Sequence, residues 1–172
     1  MKEQHDRPIS SRGTTSAGSG SGSSSTLVVV GVGSEQSAIP LARVARLERF
    51  AAAQVEQTQG RSIVQYRGEL LPLIDLAASL GQYSSNEGND DVSVLVHTIG
   101  DRTVGIIVDH IIDITDSDID QREASGYVLG TAVINQRVTT VIDTTSLLES
   151  MFAIEPIHES SYLDDHALAH LG

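Results

Sequence analysis

The sequence predicts an all-β fold made of many short strands. Three observations support this class: β-branched apolar runs recur about every ten residues, turn-forming residues separate them, and no strand–helix–strand rhythm is present. Hydrophobic residues make up 40% of the 172-residue chain, with no Trp and only two Phe. Valine and isoleucine have restricted χ1 angles and pack well on pleated surfaces. The core is therefore expected to be aliphatic and sheet-based.

The apolar runs and turn signals place the individual strands. A largely buried first strand is followed by a tight turn at Gly33-Ser34. Three later pairs of runs predict hairpins across Arg67-Gly68, Gly100-Asp101 and Asn135-Gln136. The predicted strands are Leu27–Val32, Ser37–Ile39, Arg61–Tyr66, Glu69–Leu73, Val92–Ile99, Arg102–Ile107, Ile111–Ile114, Val128–Ile134 and Arg137–Ile142.

Short helices are expected at Asp75–Leu80 and Thr144–Met151, and the second of them can be capped by Asp143 or Thr144. The apolar residues from Leu41 to Phe50 have a spacing that fits either one or two helical turns or an irregular strand. Pattern alone does not separate these alternatives. Polar loops are predicted at residues 82–91 and 115–125.

Both ends differ in composition from the folded region, which is expected to span residues 26–150. Residues 1–25 include a Ser/Gly-rich stretch with too few apolar groups to offset ordering entropy, which predicts a disordered linker or a plain disordered tail. Residues 151–172 are an acidic tail with three histidines. Of these, His166 and His170 have the i, i+4 spacing of a metal-binding pair. Incidental histidines are the preferred interpretation, because no H-E-x-x-H motif is present.

Charge and composition exclude several functional classes. The net charge is −12, with 23 acidic against 11 basic residues, which disfavours nucleic acid and anionic lipid as partners. The absence of cysteine excludes disulfides, thiol catalysis and Cys-based zinc sites. The only lysine is Lys2, so the folded region has neither a P-loop nor a Schiff-base lysine. No apolar run suits a signal peptide or a membrane helix, so a cytoplasmic protein is expected.

Aspartates and histidines are the candidates for catalysis in the folded region. The aspartates at strand ends or turns are Asp75, Asp109, Asp113 and Asp143. A structural role is preferred for them, because aspartate accepts backbone hydrogen bonds in turns and caps; Asp109 is expected to accept them from a local turn. A small β-barrel hydrolase would need His97 or His110 beside a carboxylate in a cleft. We expect His97 to be half-buried or at the surface.

Arg67 and a glycine pair have two interpretations each. Arg67 lies at a predicted turn tip in an acidic chain, where it is either a solvated turn residue or an anchor for a partner's carboxylate. The residues alone leave both possibilities open. Gly31 and Gly33 form a G-x-G pattern, but the third glycine and the following helix of a nucleotide-binding loop are missing. A hairpin turn explains the pair better.

Six segments, taken in order, resemble the CheW-like domain family. One contains the pattern R-G-x-x-x-P-x-x-D-L from Arg67 to Leu76, and another contains V-G-x-x-V-D from Val104 to Asp109. The segments are Ala38–Leu47, Val64–Leu76, Val104–Asp109, Ile111–Ile114, Val128–Ile134 and Val141–Asp143. Each is weak alone, but their shared order over residues 27–148 makes the resemblance specific.

The resemblance implies two small five-stranded SH3-like β-barrels that share a core, with one or two short helices. It also implies a non-enzymatic adaptor that couples chemoreceptors to a CheA-type histidine kinase by protein–protein contact, with no catalytic residue, cofactor or metal. By position, Arg67 matches the family's hairpin arginine associated with receptor contact, with Gly68 beside it. Val44 and Leu47 fall in the family's groove region, and all four residues are candidate partner contacts.

The amino-acid sequence around Arg67 resembles the regulatory domain of CheA-type kinases more closely than it resembles stand-alone adaptors. A detached regulatory domain of such a kinase is therefore the first alternative to an adaptor. The phosphoacceptor and nucleotide-binding domains of a kinase have no room in this chain. The Asp/His hydrolase is the second alternative.

Overall fold

The computed structural model describes residues 23–152. The predicted linker and tail therefore lie largely outside the described residues, as does the His166–His170 pair. Ser24 and Ser25, placed in the linker by composition, begin the first strand. The elements of the described residues are β1 (Ser24–Val32), β2 (Glu35–Pro40), β3 (Arg46–Ala51), β4 (Glu56–Thr58), β5 (Arg61–Tyr66), β6 (Glu69–Asp75), α1 (Leu76–Ser79), β7 (Asp91–Ile99), β8 (Arg102–Val108), β9 (His110–Asp118), β10 (Val128–Ile134), β11 (Arg137–Ile142) and α2 (Thr144–Phe152).

The strands form two sheets with interleaved connectivity. The first sheet has the order β10-β11-β2-β1-β9, and the second has the order β3-β7-β8-β6-β5-β4. Neighbouring strands are antiparallel except for the parallel pairs β11–β2 and β6–β8. The chain begins in the first sheet, builds the second and returns to complete the first. This confirms the all-β class and the two-part architecture.

The first sheet has the five strands expected for each barrel, whereas the second has six. The additional strand is β4, which pairs with β5 across a turn at Gln59-Gly60. All three β4 residues are exposed, so no apolar alternation marks the strand in the sequence. In the described residues the ladders do not join the two end strands of either sheet. Two backbone hydrogen bonds between Asp120 and Thr131, of 2.7 and 2.9 Å, nevertheless bring the chain after β9 alongside β10.

The buried side chains form three clusters, one between the sheets and one inside each sheet. The shared cluster combines β1, β7, β8 and both helices. Strand β1 supplies alternate residues to two clusters: Val28 and Val30 to the shared one, Leu27 and Val29 to the first sheet's own. Because side chains alternate across a strand, β1 is buried on both faces. The second sheet's cluster comprises Phe50, Val64, Leu71, Leu73, Val94 and Val96.

The predicted hairpin turns are present, and the ambiguous segment is resolved. Arg67 and Gly68 have φ angles of 51° and 84°, and Asn135 and Gln136 have angles of 50° and 64°. Two consecutive positive φ angles are typical of type I′ turns, whose twist matches that of the flanking strands. The segment from Leu41 to Phe50 is a 3-10 turn at Leu41–Arg43 followed by β3.

The predicted loop at 115–125 is only partly a loop, because β9 continues to Asp118. Ser24, Ser25 and Thr26 of β1 pair with Asp118, Ser117 and Asp116. The Thr26 hydroxyl also donates a hydrogen bond of 2.5 Å to Asp116. Polar side chains line both strands here, so backbone pairing extends the ladder without any apolar pattern.

Three of the four candidate aspartates have local structural roles. Asp75 is the N-cap of α1 and accepts a hydrogen bond from the Ala78 N–H at 3.2 Å. Asp143 accepts hydrogen bonds at the start of α2 from two backbone N–H groups and from the Ser146 hydroxyl, at 3.1, 3.4 and 2.7 Å. Asp113 accepts a hydrogen bond from the N–H of the next residue at 2.8 Å. Asp143, and not Thr144, is therefore the cap of α2.

Asp109 holds two loops together. Its Oδ2 accepts hydrogen bonds from the Gly33 N–H at 2.7 Å, the Ser85 N–H at 3.1 Å and the Ser85 hydroxyl at 2.8 Å. Its Oδ1 accepts a hydrogen bond of 2.8 Å from the Ser84 hydroxyl. Burial raises the pKa of Asp109, but the hydrogen bonds from Ser85, Ser84 and Gly33 outweigh burial and hold that pKa below 3.8. The predicted role of Asp109 as an acceptor is correct, but its donors belong to two loops distant in sequence and not to a local turn. The G-x-G pattern is a hairpin turn.

His97 lies in the shared core, which corrects the expectation of a half-buried or surface position. Its side chain is 1% exposed, and Nδ1 lies 3.4 Å from the Thr144 hydroxyl. Nε2 is buried without a hydrogen-bond partner among the described residues. Burial, reinforced by the positive charge of Arg43, lowers the pKa of His97 from 6.5 to about 4, although Asp143 opposes the shift. The imidazole is therefore neutral at pH 7.

We expect Asp109→Asn to lower the free energy of unfolding by about 2 kcal/mol. The substituted amide places an NH₂ donor among N–H and O–H donors, so at least one buried hydrogen bond is lost. Urea denaturation at pH 7 measures the change. Asp101→Asn, at an exposed turn, is the matched control and should stay within about 0.5 kcal/mol of the parent. Equal, small effects of both substitutions would contradict this role of Asp109.

The buried His97 predicts a loss of stability in mild acid. Below pH 6.5 the unfolded chain protonates this histidine, whereas the folded chain does so only near pH 4. The free energy of unfolding should therefore fall between these values by about 3 kcal/mol, at about 1.4 kcal/mol per pKa unit. The carboxyl of Asp109 titrates below 3.8, outside this window.

His97→Leu isolates the histidine contribution. The variant lacks the titrating group, so the stability difference between parent and variant should shift in the variant's favour as the pH falls from 6.5 to 4. Denaturant titrations of both proteins at several pH values measure that difference. Parallel pH profiles would show that His97 is not the group responsible.

Candidate functional site

Arg67 lies at the β5–β6 turn, next to aromatic side chains that pack into the second sheet. The Arg67 guanidinium lies 5.4 Å from the centroid of the Tyr66 ring, within cation–π range. Tyr66 in turn meets Phe50 edge-on, with ring centroids 6.1 Å apart and planes at 84°. Its hydroxyl donates a hydrogen bond of 3.3 Å to the Glu48 carboxylate. These contacts limit the positions that the Arg67 side chain can take.

A groove of about 670 Å³ lies beside this turn. It is bordered by the start of β3, the β5–β6 hairpin and the β7–β8 turn. Its charged lining residues are Arg46, Arg61, Arg67, Arg102, Glu69 and Asp101. Leu70 also lines the groove and is 63% exposed. Four arginines against two carboxylates make this surface locally cationic in a chain whose net charge is −12.

The structure separates the four predicted contact residues into two groups. Arg67 and Gly68 form the turn beside the groove, and Arg67 lines it. Leu47 of β3 lies opposite Leu95, a residue of the shared cluster, in the ladder with β7. Its side chain is therefore on the other face of β3 from the side chain of Arg46. Val44 is partly buried and packs against the same shared cluster. Val44 and Leu47 therefore belong to a different surface from Arg67.

Of the residues that line the groove, sequence reasoning named only Arg67 as a contact and missed, among others, Arg46, Leu70 and Arg102. Leu70 was identifiable, because it alternates with the buried Leu71 in a predicted strand. Arg46 and Arg102 are placed near the hairpin by the ladder β3-β7-β8-β6. The parallel pairing of β6 with β8 in that ladder has no signal in the local sequence.

The histidines do not assemble the site that a hydrolase needs. His97 lies in the shared core, and the nearby carboxylate of Asp143 caps α2. The ring of His110 packs over Gly31, where a Cβ would collide with it. Neither histidine lines the arginine groove. Neither histidine is therefore placed beside a carboxylate in the arginine groove of the described residues.

Two further features are absent from residues 23–152. None of the helices in this part of the chain combines the length and the apolar composition that a membrane span requires. No group of three or more His, Asp or Glu side chains there could hold a metal ion.

Comparison with known proteins relates this chain to one family. The CheW-like domain family matches residues 26–152. The sensor histidine kinase CheAY of Helicobacter pylori is 26% identical over 131 residues, which are 73% of this chain but only 16% of that kinase. The chemotaxis protein CheW of Klebsiella aerogenes is 24% identical over 151 residues, 81% of this chain and 86% of that protein.

A solved structure has the same fold. The scaffolding protein TtCheW from Thermoanaerobacter tengcongensis superposes with a TM-score of 0.61 at 20% identity, over 74% of this chain and 94% of its own. The match to the family covers nearly all of the described residues and contains the ordered motifs found in the sequence. The chain is therefore a member of the CheW-like domain family.

Proposed function

We propose that this chain is a non-catalytic chemotaxis-type adaptor, a cytoplasmic scaffold that couples chemoreceptors to a CheA-type histidine kinase through protein–protein contacts. The observation that carries the proposal is the family match over residues 26–152, together with the likeness to a CheW over 86% of that protein's length. The proposal assigns neither a cofactor nor a metal to the chain. Its chemistry is reversible surface contact in a two-component signalling system.

The arginine groove is the proposed contact with a partner. A guanidinium forms a planar fork that binds carboxylates in a bidentate manner. The exposed Leu70 beside Arg67 supplies apolar surface next to the charge. A partner segment that combines a carboxylate with an apolar side chain is the complement of this pair.

Val44 and Leu47 are proposed as a separate contact. They flank the start of β3 on the side of the shared core, and Leu47 is 37% exposed. An adaptor needs two surfaces to hold two partners at once. Leu47 lies on the opposite face of β3 from the groove residue Arg46, and this separation supports an arrangement with two contact surfaces.

Substitutions of Arg67 in the 172-residue chain test the groove. We expect Arg67→Glu to weaken binding to a receptor cytoplasmic hairpin or a CheA-type regulatory domain at least tenfold, measured by calorimetry. Arg67→Asn should also weaken binding, although asparagine tolerates the positive φ of 51° at this position better than arginine. Weaker binding by the asparagine variant therefore cannot result from strain in the turn.

Arg137→Glu is the matched control for charge reversal. Arg137 is an exposed arginine next to a type I′ turn, but it lies in the first sheet. Binding should be nearly unchanged in this variant, apart from a small effect of net charge that added salt removes. Equal losses for Arg67→Glu and Arg137→Glu would count against a local contact at the groove.

A detached regulatory domain of a CheA-type kinase is the second candidate function. It is favoured by the 26% identity to the kinase CheAY, against 24% for the stand-alone CheW. An adaptor acts on a kinase that still has its own regulatory domain. A detached regulatory domain acts on a kinase that lacks this domain and takes its place.

Two kinase preparations separate these functions: an intact CheA-type kinase and the same kinase without its regulatory domain. We expect the full chain to increase receptor-dependent autophosphorylation of the intact kinase only. Rescue of the shortened kinase, with no effect on the intact one, would assign the regulatory role instead. No effect on either preparation would contradict both functions.

A further inference from the structure

Tyr66 connects two strands that are not neighbours in the second sheet. Its strand β5 is separated from β3 by three other strands in the order β3-β7-β8-β6-β5. The Tyr66 ring nevertheless meets Phe50 of β3, with 6.1 Å between ring centroids, and its hydroxyl donates a hydrogen bond of 3.3 Å to Glu48 of the same strand. The sheet therefore curls until side chains join β3 and β5, although no backbone ladder joins these two strands in the described residues.

The two contacts on β3 fix the Tyr66 ring. Glu48 and Phe50 lie two positions apart, so their side chains are on the same face of β3. Phe50 is 8% exposed and belongs to the second sheet's cluster, against which Tyr66 packs. An edge-on aromatic contact and a hydrogen bond have separate directional requirements. Together they set both the position and the tilt of the ring.

The ring is in turn the support of the Arg67 side chain. Arg67 is exposed, and its guanidinium lies 5.4 Å from the ring centroid. The structure shows no hydrogen bond or ion pair between this guanidinium and another described residue. An arginine side chain in solvent samples many rotamers, and fixing it in one of them costs conformational entropy on binding. Contact with the ring lowers that cost, because it restricts the side chain before a partner arrives.

The arrangement leaves the hydrogen-bond donors of Arg67 available. The N–H groups of a guanidinium lie in its plane and point outward from its edges. A carboxylate accepts two of them in parallel, which makes such a pair sensitive to the orientation of the guanidinium. A support that sets this orientation therefore changes the affinity for a carboxylate without contacting it.

We propose that Tyr66 is the positioning residue of the arginine groove. Its ring, fixed by Phe50 and Glu48, holds the Arg67 guanidinium in the orientation from which it binds a carboxylate of a partner. The positioning is a property of the free chain. The inference rests on the proposed function only for the statement that a partner's carboxylate binds there.

The Arg67 Nε–Hε signal of the free 172-residue chain tests the positioning. A proton near the face of an aromatic ring resonates upfield, because the ring current shields it. In a sample with nitrogen-15 arginine, Arg67→Lys identifies the signal by its disappearance. We expect the signal upfield of that of Arg137, an exposed arginine in the first sheet, and with a higher heteronuclear NOE.

Substitutions of Tyr66 show whether the ring is responsible. Tyr66→Leu removes the ring and keeps an apolar side chain, so the Arg67 signal should lose its upfield shift and its high NOE. Tyr66→Phe keeps the ring and should retain both. Val64→Ala is the structural control, because Val64 is 1% exposed in the same cluster and its truncation weakens the packing without removing the ring. The Arg67 signal should be unchanged in this control.

Substitutions of Glu48 test the support of the ring itself. Glu48→Ala removes the acceptor of the Tyr66 hydroxyl, whereas Glu48→Gln keeps an acceptor oxygen at the same position. The Arg67 signal should move toward that of Arg137 in the alanine variant only. An unchanged signal in the alanine variant would overturn the role of Glu48 in fixing the ring.

Calorimetry with a receptor cytoplasmic hairpin or a CheA-type regulatory domain tests the effect on a partner. Tyr66→Leu should weaken binding about threefold, which corresponds to the strength of an exposed cation–π contact. Tyr66→Phe and Val64→Ala should bind as the parent does.

The outcomes separate the positioning from the proposed function. An Arg67 signal that is the same in the parent and in Tyr66→Leu would overturn the positioning. Loss of the upfield shift without weaker binding would overturn its effect on the partner. Because the spectra are recorded without a partner, failure of the parent to bind either protein would count against the adaptor function and would leave the result on Tyr66 in place.

Discussion

The fold depends on the burial of β1 on both of its faces. Val28 and Val30 pack toward the second sheet, while Leu27 and Val29 pack into the first. Burial of apolar surface stabilises the folded state by about 25 cal/mol per Å². A strand that is buried on both faces therefore contributes a large share of the stabilisation from the core. A one-residue shift of its register would exchange the two sets of side chains between the cores. Neither sheet can therefore form its native packing without the other.

The same constraint explains why the chain returns to the first sheet after building the second. Strands β9, β10 and β11 complete a sheet that β1 and β2 begin about 70 residues earlier in the sequence. The two helices close the shared core from the side, through Leu76, Leu147 and Leu148. His97 is carried into this core by its position between Leu95 and Val104 in the β7–β8 ladder. The pKa of His97 is lowered mainly because the histidine is buried in this aliphatic core.

Local chemistry in the sequence was sufficient to predict the hairpins and the aspartate caps. Positive φ angles at Arg67-Gly68 and Asn135-Gln136 follow from short turns between β-rich runs. Strand β4 and the polar half of β9 could not be predicted, because their pairing rests on backbone hydrogen bonds and leaves the side chains exposed. The burial of His97 was also missed, since a single polar residue inside an apolar strand does not show which face it occupies.

The groove was predictable only at its tip. Arg67 stands out as a basic turn residue in an acidic chain, and its proposed role in partner contact came from the family resemblance. Arg46 and Arg102 reach the same groove through a ladder of four strands that are distant in sequence. Val44 and Leu47 lie on a different surface from Arg67 because a strand has two faces, and proximity in sequence to a groove residue does not place a side chain on the same one.

Binding at the arginine groove depends on the salt concentration, whereas binding at an apolar interface does not depend on it in this way. The guanidinium groups of the groove lie at the surface of a chain whose other regions are strongly acidic, so salt weakens any contact made there. The exposed pair Val133 and Val138, at 68% and 74%, lies on the β10–β11 hairpin of the first sheet and is insensitive to charge. The two sheets thus carry surfaces of different chemistry on one shared core. Because both sheets share the packing around β1, these surfaces are held in a fixed relative position, and salt would weaken only a contact made at the charged one.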